Sequence, residues 1–256
     1  MDVTYKIGKG LIVSAQHARG TYSLFVDAIR HITYLKIPPV RSVLYKQIYF
    51  TGIEALNKVA LIGILIGIVI ITQVANIVGF NPVLTGRILV WTVVRELGPL
   101  FVAIIVIARS CTAIAAELGS MKANREIDAL ITMGIDPYAY LVMPRIIGIS
   151  ASVFMLAFYF QISAIAGGLI VSSLFTDILF YEQLKGVFSV LSIFQVAVSL
   201  IKSAIFGLLI STISCYHGLR VKSSITEIPQ VTTLAVMQSL FVVLIFDGII
   251  TVVSFI

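Results

Sequence analysis

The sequence predicts an all-α integral membrane protein. Five transmembrane helices are preceded by amphipathic interfacial helices, and a short cytoplasmic helix separates spans two and three. Three observations carry this reading. Charged residues make up only 12% of the 256 residues, 59% are hydrophobic, and mean hydropathy is +1.06; a soluble domain carries about 25% charged residues. Charge-poor stretches long enough for the roughly 20 residues that cross a bilayer recur along the chain. The basic residues gather on alternate connections between those stretches.

The N-terminal part, residues 1–57, reads as cytoplasmic and interfacial. No cleavable signal peptide is expected in it. "YSLFVDAIRHITYL" places Phe25, Ile29 and Ile32 on one helical stripe, with Asp27, Arg30 and His31 elsewhere. "SVLYKQIYFTGIEAL" repeats the pattern with Leu44, Ile48, Gly52 and Leu56, and Pro38-Pro39 separates the two. Basic residues beside an apolar stripe suit a helix lying in the membrane surface.

The transmembrane part covers residues 58–256. The first span is "VALIGILIGIVIITQVANIVG", residues 59–79, in a stretch free of Asp, Glu, Lys and Arg from Lys58 to Arg87. The second, about 88–116, contains Arg95, Glu96 and Arg109. The third follows Arg145 and meets no charge before Asp177; the fourth, about 189–214, contains Lys202; the fifth, about 231–254, contains Asp247. Eight Lys/Arg residues precede span one, and Lys122, Arg125, Arg145, Arg220 and Lys222 lie in two of the loops, against Arg87 and Lys185 in the other two. The positive-inside rule then puts the N-terminus, the Lys122 loop and the Arg220 loop in the cytoplasm and the C-terminus outside.

The Lys122 loop, residues 122–137, reads "KANREIDALITMGIDP". Asn124 suits an N-cap. Glu126 and Asp128 then fall in the first turn, where the helix dipole favours acids. Ile127, Leu130, Ile131 and Gly134 follow an i, i+3, i+4, i+7 stripe, and Gly134 suits a helix stop. From Asn124 to Met133 such a helix measures about 15 Å, too short to span. It is expected either to cap the bundle or to dock a partner.

Charges inside spans are costly, roughly 2.5–3.5 kcal/mol at the bilayer centre, and should face protein or a wet cavity. Lys202 and Asp247 are read either as an ion pair holding the bundle or as part of a cavity. Pro99 lacks the N–H that the Arg95 carbonyl needs, so a kink is expected beside Arg95 and Glu96. Arg109, among small residues, is expected to anchor on carbonyls or on Glu117.

The three histidines (His17, His31 and His217) are scattered, and Cys111 and Cys215 have no metal-type spacing, so no metal site is expected. No Ser-His-Asp or paired-carboxylate arrangement is readable, which argues against an enzyme. The net charge of +6 is set by loop position and does not point to nucleic acid. No G-x-x-x-x-G-K-[ST] phosphate loop occurs in the sequence; if ATP drives this protein, the ATPase is a separate chain. A secondary transporter or channel with an intramembrane ion path is the alternative.

Residues 108–145, "ARSCTAIAAELGSMKANREIDALITMGIDPYAYLVMPR", resemble the signature region of the MlaE family, the permease subunits of MCE-associated phospholipid ABC transporters. "VVRELGP", "LIKSAIFGLLISTISCYHGL" and "TEIPQVTTLAVMQS" followed by Asp247 extend the resemblance from about residue 40 onward. It implies a bacterial inner-membrane homodimer with a lipid cavity between its copies. It also implies a cytoplasmic ABC ATPase dimer carrying ATP and Mg, a periplasmic MCE-domain protein, and a small STAS-type subunit as a further candidate partner. No cofactor is expected on this chain. The loop helix becomes a coupling helix, with Arg125, Glu126, Asp128, Leu130, Met133 and Gly134 toward the ATPase. "DALITMG" has the spacing of the EAA---G loop of ABC importers, as an analogous device. Arg95 and Glu96 are placed beside the lipid cavity, where Arg95 could attract a phosphate head group. Ile68, Ile71, Ile245, Lys202 and Asp247 complete the candidate cavity residues. One departure is Ile228-Pro229-Gln230-Val231 where the family usually reads Val-Gly-Arg-Ala.

Overall fold

The computed structural model describes residues 19–27, 30, 32–78, 82–175, 180–222 and 224–254. Its described regular elements are all helical. Five helical stretches are long and apolar enough to cross a membrane: Pro38–Val74, Val83–Ala123, Tyr138–Leu174, Ile193–Leu219 and Ile225–Val253. The chain is a multi-pass membrane protein. The loop helix lies at one end of the bundle; the opposite end is called the far end below.

The first helical stretch begins earlier than the apolar run alone suggests. A helix over Pro38–Thr51 starts on the proline pair, where a missing N–H costs nothing. It pauses at Gly52 and the short 3₁₀ turn Ile53–Ala55, then continues as Leu56–Val78. A Cβ on Gly52 would lie 2.7 Å from the Ile48 carbonyl oxygen and 3.2 Å from Ser152 Oγ, so glycine lets this break sit against span three. Of the preceding stripe, Ile29 lies outside the described residues, and Leu24, not Phe25, is the buried residue of the helical stretch 19–27.

Spans one and three meet backbone to backbone. A Cβ on Gly67 would fall 1.9 Å from the Ala164 carbonyl oxygen, and one on Gly168 would fall 2.8 Å from that of Gly67. Dispersion and close approach drive helix association in lipid, where apolar surface has little incentive to hide. The centre of the bundle is built from spans two, three and four, with Val102, Val106, Phe160, Phe206 and Ile210 at 2% exposure or less. The Phe101 and Phe160 rings stack with centroids 6.2 Å apart. Span four opens with a capping box between Ser192 and Gln195. Span five buries only Ala235, Ser239 and Val243. That i, i+4, i+8 stripe attaches the span along one line and leaves most of its surface to lipid or a partner.

Pro99 is accommodated by a change of helical register. Val90–Leu97 is a π-helix, in which the Gly98 N–H reaches the Val93 carbonyl. In that register the missing N–H of Pro99 falls opposite the Val94 carbonyl. The Gln161 amide fills the gap, donating to Val94 O at 3.3 Å and to Ser199 Oγ at 2.5 Å. Satisfied carbonyls are obligatory in lipid, so span three completes the hydrogen bonding of span two. Two further π segments occur, Ile107–Cys111 and Tyr138–Val142.

A far-end feature absent from the sequence reading is a short helix, Phe180–Val190, between spans three and four. It packs on Pro82–Leu89 through two glycines, since a Cβ on Gly86 would meet the Gly186 carbonyl oxygen at 2.7 Å.

Candidate functional site

Three spans deliver charged side chains to one cluster toward the far end. Span two contributes Arg95 and Glu96, span four Lys202, and span five Asp247, Thr251 and Ser254. Lys202 is 2% exposed. Its Nζ donates to Glu96 Oε2 at 2.7 Å and to Thr251 Oγ1 at 3.0 Å, and lies 2.8 Å from Asp247 Oδ1. Thr251 Oγ1 donates in turn to Glu96 Oε2 at 2.8 Å. Arg95 Nε stands 3.5 Å from Glu96 Oε1, its Nη2 donates to Ser254 Oγ at 2.6 Å, and its guanidinium carbon lies 5.0 Å from the centre of the Trp91 ring.

Two cations face two carboxylates, so the cluster is neutral as a unit. Neutrality matters because an isolated ion in the low-dielectric interior costs several kcal/mol, and a partner with good geometry offsets that cost. The register of span two helps set the pattern. Arg95 and Glu96 both lie in the π segment, beside the glycine and proline that end it. Lys202 and Asp247 thus form an ion pair, but a shared one, because Glu96 is a second counter-ion. Thr251, Ser254 and Trp91 were not among the sequence candidates. Their signal was available: Asp247, Thr251 and Ser254 follow i, i+4, i+7, and Trp91 and Arg95 are four apart.

The apolar cavity candidates separate. Ile71 is 1% exposed and belongs to the core of the bundle, Ile68 is half-buried, and Ile245 is 58% exposed.

At the other end, the loop helix is Glu126–Thr132. Asn124 does not cap it. Asn124 ends the preceding helix, its N–H donating to Ser120 O, and Arg125 takes the N-cap position with a left-handed φ of 59°. The reason is the tight turn between two helices, which leaves no extended residue to present a capping side chain. Gly134, at φ +76°, ends the helix in the left-handed region that glycine tolerates, with open space around it. Lys122 Nζ donates to Asp128 Oδ1 at 2.7 Å, tying the helix to the end of span two.

The predicted apolar stripe divides. Ile127 is buried and Leu130 half-buried, but Ile131 is 56% exposed; Met133, a coupling candidate outside that stripe, is 65% exposed. Seven residues make barely two turns, so only one of those turns can rest on the bundle. Arg125 and Glu126 are also exposed. The helix therefore presents two apolar side chains beside charged ones.

Arg109 pairs with Glu54, beside the break in the first helical stretch, rather than with Glu117. Glu117 is held by buried Arg145 at 2.7 Å. One acid on each neighbour, at matching depth, decides the pairing.

An all-helical bundle with a neutral intramembrane charge cluster and an exposed, anchored loop helix defines a multi-pass membrane protein. The particular family follows from comparison: residues 44–253 match the family model described as Permease MlaE, and the chain belongs to that family. It is 32% identical to a probable ABC transporter permease protein of Rickettsia prowazekii, over 100% of this chain and 98% of the relative. A protein of the same description from Synechocystis is 31% identical over 78% of this chain and 77% of its own length. One from Pyropia yezoensis is 30% identical over 83% and 81%.

Proposed function

We propose that this chain is the permease subunit of an ABC-type transporter that moves phospholipid between the bacterial inner membrane and a periplasmic MCE protein. Two copies pair through the uncovered faces of spans one and five and enclose a lipid cavity. The charge cluster stands at the periplasmic end of that cavity, where Arg95 meets a phosphate head group. ATP and Mg are handled by a separate cytoplasmic ATPase dimer, and a small STAS-type subunit fits the same cytoplasmic face. The N-terminus lies in the cytoplasm and the C-terminus in the periplasm.

The observation that carries this reading is the loop helix. Exposed apolar side chains on a short, firmly tied helix have no use in water, but they fit a groove on a partner. Lys122–Asp128 and buried Ile127 make the helix rigid enough to transmit a push to spans two and three.

The test is site-specific photo-crosslinking in cells expressing the whole system. A photo-reactive residue at Met133 is expected to capture the ATPase subunit, whereas one at Val253 captures none. Equal capture at both positions, or none at Met133, contradicts the reading.

A further inference from the structure

A groove of about 540 Å³ lies on the side of the bundle, and its inner end adjoins the charge cluster, since Phe246 precedes Asp247 and Ile205 lies one turn from Lys202. One wall is span four, from Ile205 to Ile213; the other is span five, from Gln238 to Phe246; Tyr22 and Phe25 of the helical stretch 19–27 close it. Its volume falls within the range of small-molecule sites. Each long wall covers nine residues, about 12 Å from end to end. One leaflet of hydrocarbon is about half of a 30 Å core. The groove therefore has the length of one leaflet and stops near mid-membrane.

The lining is apolar except at one end. There Gln238 Oε1 and His217 Nε2 bond at 2.5 Å, which keeps both polar groups satisfied beside the groove. Beyond this end stands Tyr216. A Cβ on Gly20 would lie 2.5 Å from its ring, so the glycine seats the 19–27 stretch directly on the tyrosine. Arg220 lies over the same ring at 5.5 Å and donates to Tyr216 Oη at 3.2 Å. Arg220 and Arg19 are both exposed, and Lys222 follows. The groove is thus a leaflet-deep apolar slot with basic residues at its polar end.

We infer that this groove binds one acyl chain of an acidic phospholipid from the leaflet on the loop-helix side, with its head group at Arg220 and Arg19. Depth, apolar lining and charge each select that ligand. A peptide would need backbone partners that the lining lacks, and a neutral lipid would gain nothing from the basic end. On span five the groove residues Gln238, Val242 and Phe246 and the cluster residues Asp247 and Thr251 flank the buried Ala235, Ser239 and Val243 stripe on opposite sides, which sets the groove apart from the charge cluster. The groove gives the permease a fixed lipid that clamps the N-terminal helix onto spans four and five.

The test is native mass spectrometry of the delipidated full-length chain titrated with phosphatidylglycerol or phosphatidylcholine. The wild type is expected to retain one phosphatidylglycerol per chain, preferred about fivefold for each basic residue engaged. Leu209→Trp and Val242→Trp fill the groove from opposite walls, and each is expected to abolish that bound lipid while thermal unfolding stays within a few degrees of wild type. Arg220→Gln is expected to keep binding but lose most of the head-group preference. Retention of the lipid in both tryptophan variants overturns the proposal. So does equal wild-type affinity for the two lipids, or loss of a dimer rather than of lipid in the filled variants. None of these readouts depends on ATP or transport, so the proposal can fail while the permease reading stands.

Discussion

Lys202→Met is expected to lower the stability of the purified chain more than any other single change in the far-end cluster. The lysine is the shared counter-ion of Glu96 and Asp247. Its removal leaves two carboxylates with Arg95 as the remaining cation, and Arg95 reaches Glu96 at 3.5 Å. Breaking a buried pair by deleting one partner costs on the order of 3–5 kcal/mol, because the other charge stays behind without compensation. Asp247→Asn is expected to cost less, since Lys202 keeps Glu96 and Thr251. The double variant Lys202→Met, Asp247→Asn removes one charge of each sign, leaves Arg95 with Glu96, and is expected to regain much of the lost stability. Thermal unfolding in detergent measures the series. A Lys202→Met chain that melts like wild type, or a double variant worse than the single, would show that Lys202 does not hold this cluster together.

The second large effect is on assembly. Ile131→Asp combined with Met133→Asp is expected to eliminate retention of the ATPase by the permease while leaving insertion and unfolding unchanged. Both side chains are more than half exposed, so their loss costs the bundle little. A groove built for apolar groups rejects a carboxylate because burying it unpaired is expensive. Asp128→Lys should act in the same direction by breaking the tie to Lys122. Gly134→Trp adds bulk and a strained left-handed backbone, a penalty of roughly 1–2 kcal/mol on the helix end. Affinity purification of the tagged permease reads the outcome. Full ATPase recovery with the double variant would mean that docking uses another surface.

Much of the fold was legible because lipid simplifies the problem. Long apolar runs could be nothing but spans, and a buried lysine had to find an acid. Asp247 was foreseeable as a partner of Lys202; Glu96 was not, because it depends on the rotation of span two. That rotation is set by the π register before Pro99, and its completion by Gln161 is a tertiary event with no local signature. The loop helix shows the opposite failure. Its apolar stripe was read as one face, yet a seven-residue helix resting on one turn buries Ile127 and leaves Ile131 out. Arg109 was expected to anchor on carbonyls or on Glu117. The structure prefers Glu54, brought near by the break at Gly52, because Arg145 already claims Glu117. Span membership alone carries no information about helix face, and so could not separate buried Ile71 from exposed Ile245. The helix at Phe180–Val190 was missed because its glycine contact with Pro82–Leu89 is long-range.

The proposed permease moves phospholipid with energy supplied by another polypeptide. The most direct measurement reconstitutes the permease, its ATPase and the MCE protein in vesicles and follows a labelled phospholipid between membrane and MCE protein. Transfer is predicted to require ATP hydrolysis and to disappear with the Ile131→Asp, Met133→Asp permease. Transfer that proceeds equally without ATP, or transport by the isolated chain driven by an ion gradient, would contradict it.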